Sequence, residues 1–187
     1  MKLTFPKIIY GFAKLSFILS LLLFLYIVFG AICYLIQEQG WFQFDFLNIG
    51  HTGSGQEVIS MKIPFVDLGV SFPPNLYQMA SMILFFAFYT FYFYLMTRFF
   101  AIFSSNNSFS TSNLKAAKRF LWINIIPIIL LIAYAIYKAI SSGSAINLLD
   151  DGLILIFLHV FVIILVLLYQ DIIKKGIVLQ EQTDLTI

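Results

Sequence analysis

Histidine is the side chain whose charge changes most readily near neutral pH, and this chain holds two in unlike surroundings. His159 lies six residues into an apolar run that begins at Leu153. That places it about 9 Å along a helix, in a setting where a polar group needs a partner. Asn124, inside the preceding apolar run, and the tyrosines of the spans are the partners available. A neutral imidazole hydrogen-bonded to one of them would be structural, whereas one that exchanges its proton would be a relay. His159 and Asn124 are therefore the candidate intramembrane polar site. A bis-histidine haem would need a second histidine at that depth, yet His51 sits in a polar interval far from any apolar run. The single Cys33 excludes an internal disulfide, a CxxC pair and a thiolate zinc cluster. No HExxH, GxSxG or phosphate-loop pattern is present. Catalytic residues, metal ligands and cofactors are accordingly not expected, and neither is an enzyme.

The elements that must position these residues follow from composition. Of 187 residues, 61% are hydrophobic and 11% charged, with a mean hydropathy of +0.95. A soluble domain holds about 45–50% apolar and about 25% charged residues, so the solvent of this chain is the bilayer. Four apolar runs, residues 8–36, 76–103, 120–140 and 153–169, are each long enough for a membrane span and together leave room for one domain, 1–187. The first run is longer than a secretory h-region and no small-x-small pattern closes it, so it is expected to stay as a span. Ala13, Ser16 and Ser20 share one face of that helix, where a second backbone can approach closely. The aromatics of the second run, Tyr89, Tyr92 and Tyr94 among them, read as packing residues. Pro127 should kink the third helix.

Residues 37–75 form the longest polar interval. Phe42, Phe44 and Phe46 alternate with Gln43 and Asp45, the turn residues His51-Thr52-Gly53-Ser54-Gly55 follow, and Ile59, Met61 and Ile63 alternate again. Period-two patterning about a glycine-rich turn predicts a β-hairpin. Of the 11 Lys and Arg residues, all but Lys62 and Lys138 fall on one side of the four runs. Under the positive-inside rule that side is the cytoplasm. The expected fold is an all-α integral membrane protein with four transmembrane helices, packed as a left-handed bundle. Both termini are cytoplasmic and a small extracytoplasmic β-hairpin-like loop separates the first two helices.

Two cytoplasmic segments remain, the turn 104–119 and the tail 170–187. Ser110, Thr111 or Ser112 can cap a helix beginning near Asn113, with Lys115, Lys118 and Arg119 following. In the tail, Gly176 interrupts the exit from the fourth span, and Glu181 and Asp184 stand beside Leu179, Leu185 and Ile187. Such an acidic-apolar segment can dock on a basic partner or, with opposite charge on one membrane side, fold back onto the basic turn, which is the expectation. Phe109, Asn113, Lys115, Lys118, Arg119, Leu179, Glu181, Asp184 and Leu185 form this candidate cytoplasmic interaction surface. The basic residues can equally meet anionic lipid headgroups.

Phe109-Ser110-Thr111-Ser112-Asn113 followed by Lys118-Arg119 looks like an F-[S/T]-x-x-N turn leading into a basic helix start. Gly176, Leu179-Gln180-Glu181 and Asp184-Leu185-Thr186-Ile187 are similar to a G-x-x-L-Q-E-x-x-D-L-T-[V/I] ending. Both resemble small bacterial four-helix membrane proteins catalogued as domain of unknown function 2975, and the resemblance spans essentially the whole chain. Asn107-Ser108 stands where that family often has Gly or Pro, and Gln182 where a further acid is common. The resemblance implies a bacterial inner-membrane protein and, since such proteins accompany small Cro-like helix-turn-helix regulators, a cytosolic transcription factor as partner. The expected role is thus a membrane-anchored regulatory or interaction protein that does not itself bind nucleic acid, with homo-oligomerisation left open. The alternative is transport of a small solute or immunity to a peptide toxin, centred on the outer hairpin and His159.

Overall fold

The computed structural model describes residues 5–51, 55, 57–62, 69–104, 109–142 and 152–184. Four long helices and one small sheet form, in the order α1 (Phe5–Glu38), β1 (Leu47–His51), β2 (Glu57–Lys62), β3 (Gly69–Phe72), α2 (Leu76–Ser104), α3 (Thr111–Ser142) and α4 (Leu153–Asp184). All four helices are long and apolar enough to cross a membrane. Their outward faces are apolar too: Leu19, Leu22, Leu84, Phe85, Leu130, Phe157 and Phe161 are exposed. Helices apolar on every side satisfy their backbones internally and leave no polar face for water, which is the pattern of a lipid-facing protein.

The helix ends have local causes. At the end of α1, Gly40 takes a φ of +73°. Its N–H donates to the Gln37 carbonyl at 2.9 Å and the Trp41 N–H to that of Ile36 at 3.3 Å, a Schellman stop that a left-handed glycine permits. Pro73 and Pro74 break the strand that precedes α2, and Asn75 caps it by accepting from the Tyr77 N–H at 2.9 Å. Ser110 caps α3 by accepting from the Asn113 N–H at 3.2 Å, one of the three caps expected from sequence. The helix runs unbroken through Pro127.

Two compact units are built from these elements: residues 14–94, and residues 1–13 with 95–187. In the first, the sheet is antiparallel with strand order β1-β2-β3. Ile59 and Met61 of β2 are fully buried, with Leu47 and Phe72 on the flanking strands, while Ser60 and Ser71 hydrogen-bond to each other at 3.0 Å. This is the period-two alternation of a sheet with one packed face. The buried set closes against Ala31, Cys33 and Tyr34 of α1 and Met79 of α2. Gly30 lets the sheet approach, since a Cβ there would lie 2.6 Å from Met61 Cε and 2.7 Å from its Sδ. Farther along α1, Ser20 and Thr90 of α2 join hydroxyls at 3.0 Å, in line with the small-residue face read from the sequence.

The sheet corrects the hairpin in two ways. Its first strand begins at Leu47, after the Phe42–Phe46 alternation, because the Phe44 N–H is taken by the Gln37 side chain at 3.2 Å and the three rings pack on one another. A third strand, Gly69–Phe72, extends the hairpin. Thr52, Gly53, Ser54 and Ile63 lie outside the described residues.

In the second unit, α3 and α4 run antiparallel. Ala117, Phe120, Asn124 and Pro127 are buried on α3, and His159, Val166, Gln170 and Ile173 on α4, each set at spacings of three, four or seven. That is the repeat of interlocking helices. The end of α2 closes the seam with rings: Phe99 stacks on Phe120 at 4.9 Å and meets Tyr169 edge-on at 5.6 Å, and Phe103 stacks on Tyr169 at 4.3 Å. The Thr97 hydroxyl donates to the Ala13 carbonyl at 3.1 Å. The chain departs most from expectation after Tyr169, where a tail was expected: α4 continues without a break to Asp184, and Gly176 lies inside it.

Candidate functional site

Polar side chains inside an apolar seam are costly unless bonded, and α3 and α4 resolve this with one pair. His159 is 1% exposed and Asn124 fully buried. His159 Nδ1 lies 2.9 Å from Asn124 Oδ1, and Asn124 Nδ2 donates to the Phe120 carbonyl at 2.7 Å. Because the amide nitrogen is committed to Phe120, the oxygen is what faces the ring, so Nδ1 carries the hydrogen and donates. In the neutral imidazole the lone pair then belongs to Nε2. Asn124, of the partners considered from sequence, is the one the structure brings to His159.

The second candidate site forms where α3 begins and α4 extends. Phe109, one residue before the Ser110 cap, places its ring directly on Gly176, and any Cβ at position 176 would collide with it. Glycine inside a helix costs about 1 kcal/mol against alanine, and here that cost admits an aromatic ring. An adjoining groove of about 500 Å³ is lined by Phe109, Ile172, Lys175, Gly176, Leu179, Gln180 and Thr183. Its walls are apolar, and Leu179 stands 63% exposed at its edge. The tail therefore meets the turn, but as a helix rather than as a folded-back strand of chain.

Lys115, Lys118 and Arg119 project from the first turns of α3 and are exposed, while Asn113 is half-buried. The expected charge pairing does not form with Glu181: among the described residues the ion pair present is Asp171–Lys175, at 2.8 Å, one helical turn apart on α4. Helix continuity explains this, since α4 carries Glu181 onward along its own axis and leaves it exposed. Leu185 and the side chain of Asp184 lie outside the described residues, as do residues 105–108 of the turn. Sequence reasoning left Ile172, Lys175, Gln180 and Thr183 out of this surface. Their helical spacing from Gly176 and Leu179 would have revealed them had α4 been continued past Tyr169.

The first unit holds a groove that no motif announced. About 760 Å³ in volume, it lies between the end of the sheet and the start of α2.

A family model described as a protein of unknown function, DUF2975, matches residues 50–187. The match takes in all three later helices and begins within β1, so α1 stands outside it. No curated protein and no solved structure matches the chain.

Proposed function

The chain belongs to the DUF2975 family, and from that premise we propose that it is a multi-pass protein of a bacterial cytoplasmic membrane that presents a docking surface for a cytosolic helix-turn-helix regulator. Its termini and the α2–α3 turn face the cytosol, a reading that the distribution of Lys and Arg supports. The observation that carries the proposal is the seating of Phe109 on Gly176: it joins the two segments through which the chain resembles its family into one surface.

That surface has the composition of a docking site. An apolar groove supplies contact area, and the exposed Lys115, Lys118 and Arg119 in the first turns of α3, the helix that Phe109 precedes, supply charge that selects an acidic partner. At 32 residues, α4 is about 48 Å long, against about 30 Å for the hydrocarbon core. Its last turns thus stand clear of the lipid where a soluble protein can reach them.

Cosedimentation of a purified Cro-like regulator from the same genome with the full chain in nanodiscs tests this. Leu179→Asp should reduce retention by roughly tenfold or more, whereas Glu181→Gln should change it by less than about threefold, because exposed charge pairs contribute only about 0–1 kcal/mol. Equal retention by wild type and Leu179→Asp would remove the groove from any role in recruitment.

A further inference from the structure

The packing of α2 on α3 brings together two arginines that it does not itself use. Phe99 of α2 stacks on Phe120 of α3 at 4.9 Å, and each ring is preceded by an exposed arginine, Arg98 and Arg119. The stack holds these two at nearly one height. Six residues join α2 to α3, and the helices run in opposite senses. On such a pair the residue one step before each facing residue turns to the same side. Both guanidinium groups therefore project from one side of the α2–α3 pair.

Their surroundings are apolar. Arg98 lies six residues, about 9 Å, short of the end of α2, and Arg119 eight residues, about 12 Å, past the start of α3. Phe103, between Arg98 and the end of α2, is exposed, and so are Trp122, Ile126 and Ile129 beyond Arg119. Tryptophan followed by aliphatic side chains marks the passage from headgroups to acyl chains, so the arginines stand where long side chains reach lipid phosphates. A charge at that level is costly without a counter-ion. Among the described residues the ion pair present is Asp171–Lys175, and no carboxylate lies within bridging distance of either arginine. The chain thus supplies two forks of N–H donors and leaves the anion to its surroundings.

We infer that Arg98 and Arg119 together bind the headgroup phosphate of an anionic phospholipid, whose acyl chains run along Trp122 and the aliphatic side chains beyond it. Charge complementarity argues for this occupant. A guanidinium fork matches phosphate oxygens two at a time, and an anionic headgroup brings no ammonium of its own to compete for them. Arg119 is shared with the cytosolic surface proposed above, while Lys115 and Lys118 stay open to a partner. The lipid site does not rest on that reading, because it needs neither the Phe109 groove nor a regulator.

The test uses the full chain, whose two tryptophans are Trp41 and Trp122. Trp41→Phe leaves Trp122, three residues past Arg119, as the reporter. This protein is placed in phosphatidylcholine bilayers that contain equal fractions of either phosphatidylglycerol or phosphatidylcholine with brominated acyl chains, and quenching of Trp122 is read. Brominated phosphatidylglycerol should compete for the position beside Trp122 about fivefold better than brominated phosphatidylcholine. Trp122→Phe protein, which reports from Trp41 after the end of α1, should be quenched equally by both. In the Trp41→Phe background, Arg98→Gln with Arg119→Gln should remove the difference at Trp122, and Lys115→Gln with Lys118→Gln should keep most of it. Arg98→Lys with Arg119→Lys retains the charge without the forks, should give an intermediate preference, and serves as well if the glutamine pair fails to insert. Equal quenching of Trp122 by the two lipids overturns the proposal, as does an equal preference at Trp41. An undiminished preference after either exchange of the two arginines also overturns it. A preference that disappears with the two lysines moves the lipid to the start of α3 and overturns the paired site.

Discussion

The ring of Phe109 occupies the space that a side chain at Gly176 would fill. Two opposing effects act on substitution there. Alanine in a helix interior gains about 1 kcal/mol over glycine, while forcing a group into a filled site costs about 1–3 kcal/mol. Gly176→Ala should therefore destabilise the chain in detergent, read as a lower thermal midpoint. With Phe109→Ala already present, the same change should become stabilising. A sign that stays constant across the two backgrounds would show that ring and glycine are not coupled.

The buried pair on α3 and α4 predicts a different cycle. His159→Leu leaves the Asn124 oxygen without its donor, and Asn124→Leu leaves the imidazole N–H without its acceptor, each costing about 1–3 kcal/mol. His159→Gln, whose amide can still donate, should cost less. Replacing both by Leu should recover much of the loss, because the orphaned groups are then gone together. Thermal unfolding of these four variants beside the wild type in one detergent reads all of these. If His159→Gln folds normally yet removes a cellular phenotype, proton exchange at His159 becomes the better account.

Orientation is checked without reference to packing. Reporter fusions at Ser105 and after Ile187 should read cytoplasmic, and one at Ser54 external, because the Lys and Arg residues concentrate on one side of the four spans. An external reading at Ser105 would reverse the assignment and with it the side on which the Phe109 groove can find a partner.

In the other unit, Gly30 sets how closely the sheet approaches α1. Gly30→Ala should overpack the site at a cost of about 1–3 kcal/mol, offset by the roughly 1 kcal/mol that alanine gains over glycine in a helix, since Met61 Sδ and Cε occupy the position and Met61 is fully buried. Met61→Ala should relieve most of that strain at the expense of its own cavity. Protease sensitivity of the β1–β3 region, compared with that of α3–α4, would show the damage confined to the first unit.

What was legible in the sequence was what a single strong pressure decides. Long apolar runs have few alternatives in a bilayer, so all four helices were evident, and a histidine at depth with few polar neighbours pointed to Asn124 or a tyrosine, of which the structure brings Asn124. Ile59 and Met61 alternate cleanly, and β2 was read from them. Other features depend on partners far along the chain. Past Tyr169 the residues are polar enough to suit a tail, and contact with Phe109 at Gly176 accompanies the continued helix there. Four residues, Gly69–Phe72, are too few to carry a periodic signal and become a strand only beside β2. The groove between the sheet and α2 was beyond reach for the same reason, because residues of both line it.

Helices packed in lipid face a problem that soluble helices largely escape. Leu, Ile and Val are as comfortable against acyl chains as against each other, so an oily seam gives little resistance to sliding by one turn. The α3–α4 hairpin is indexed against that slippage at two marks. His159 meets the Asn124 oxygen at 2.9 Å, and Phe109 finds room on α4 at Gly176. The marks are 17 residues apart on α4, about 26 Å, so a slip that satisfied neither would have to break both at once. The register of α3 against α4 is thereby fixed along the hairpin, and whatever the end of α4 presents, it presents at one elevation.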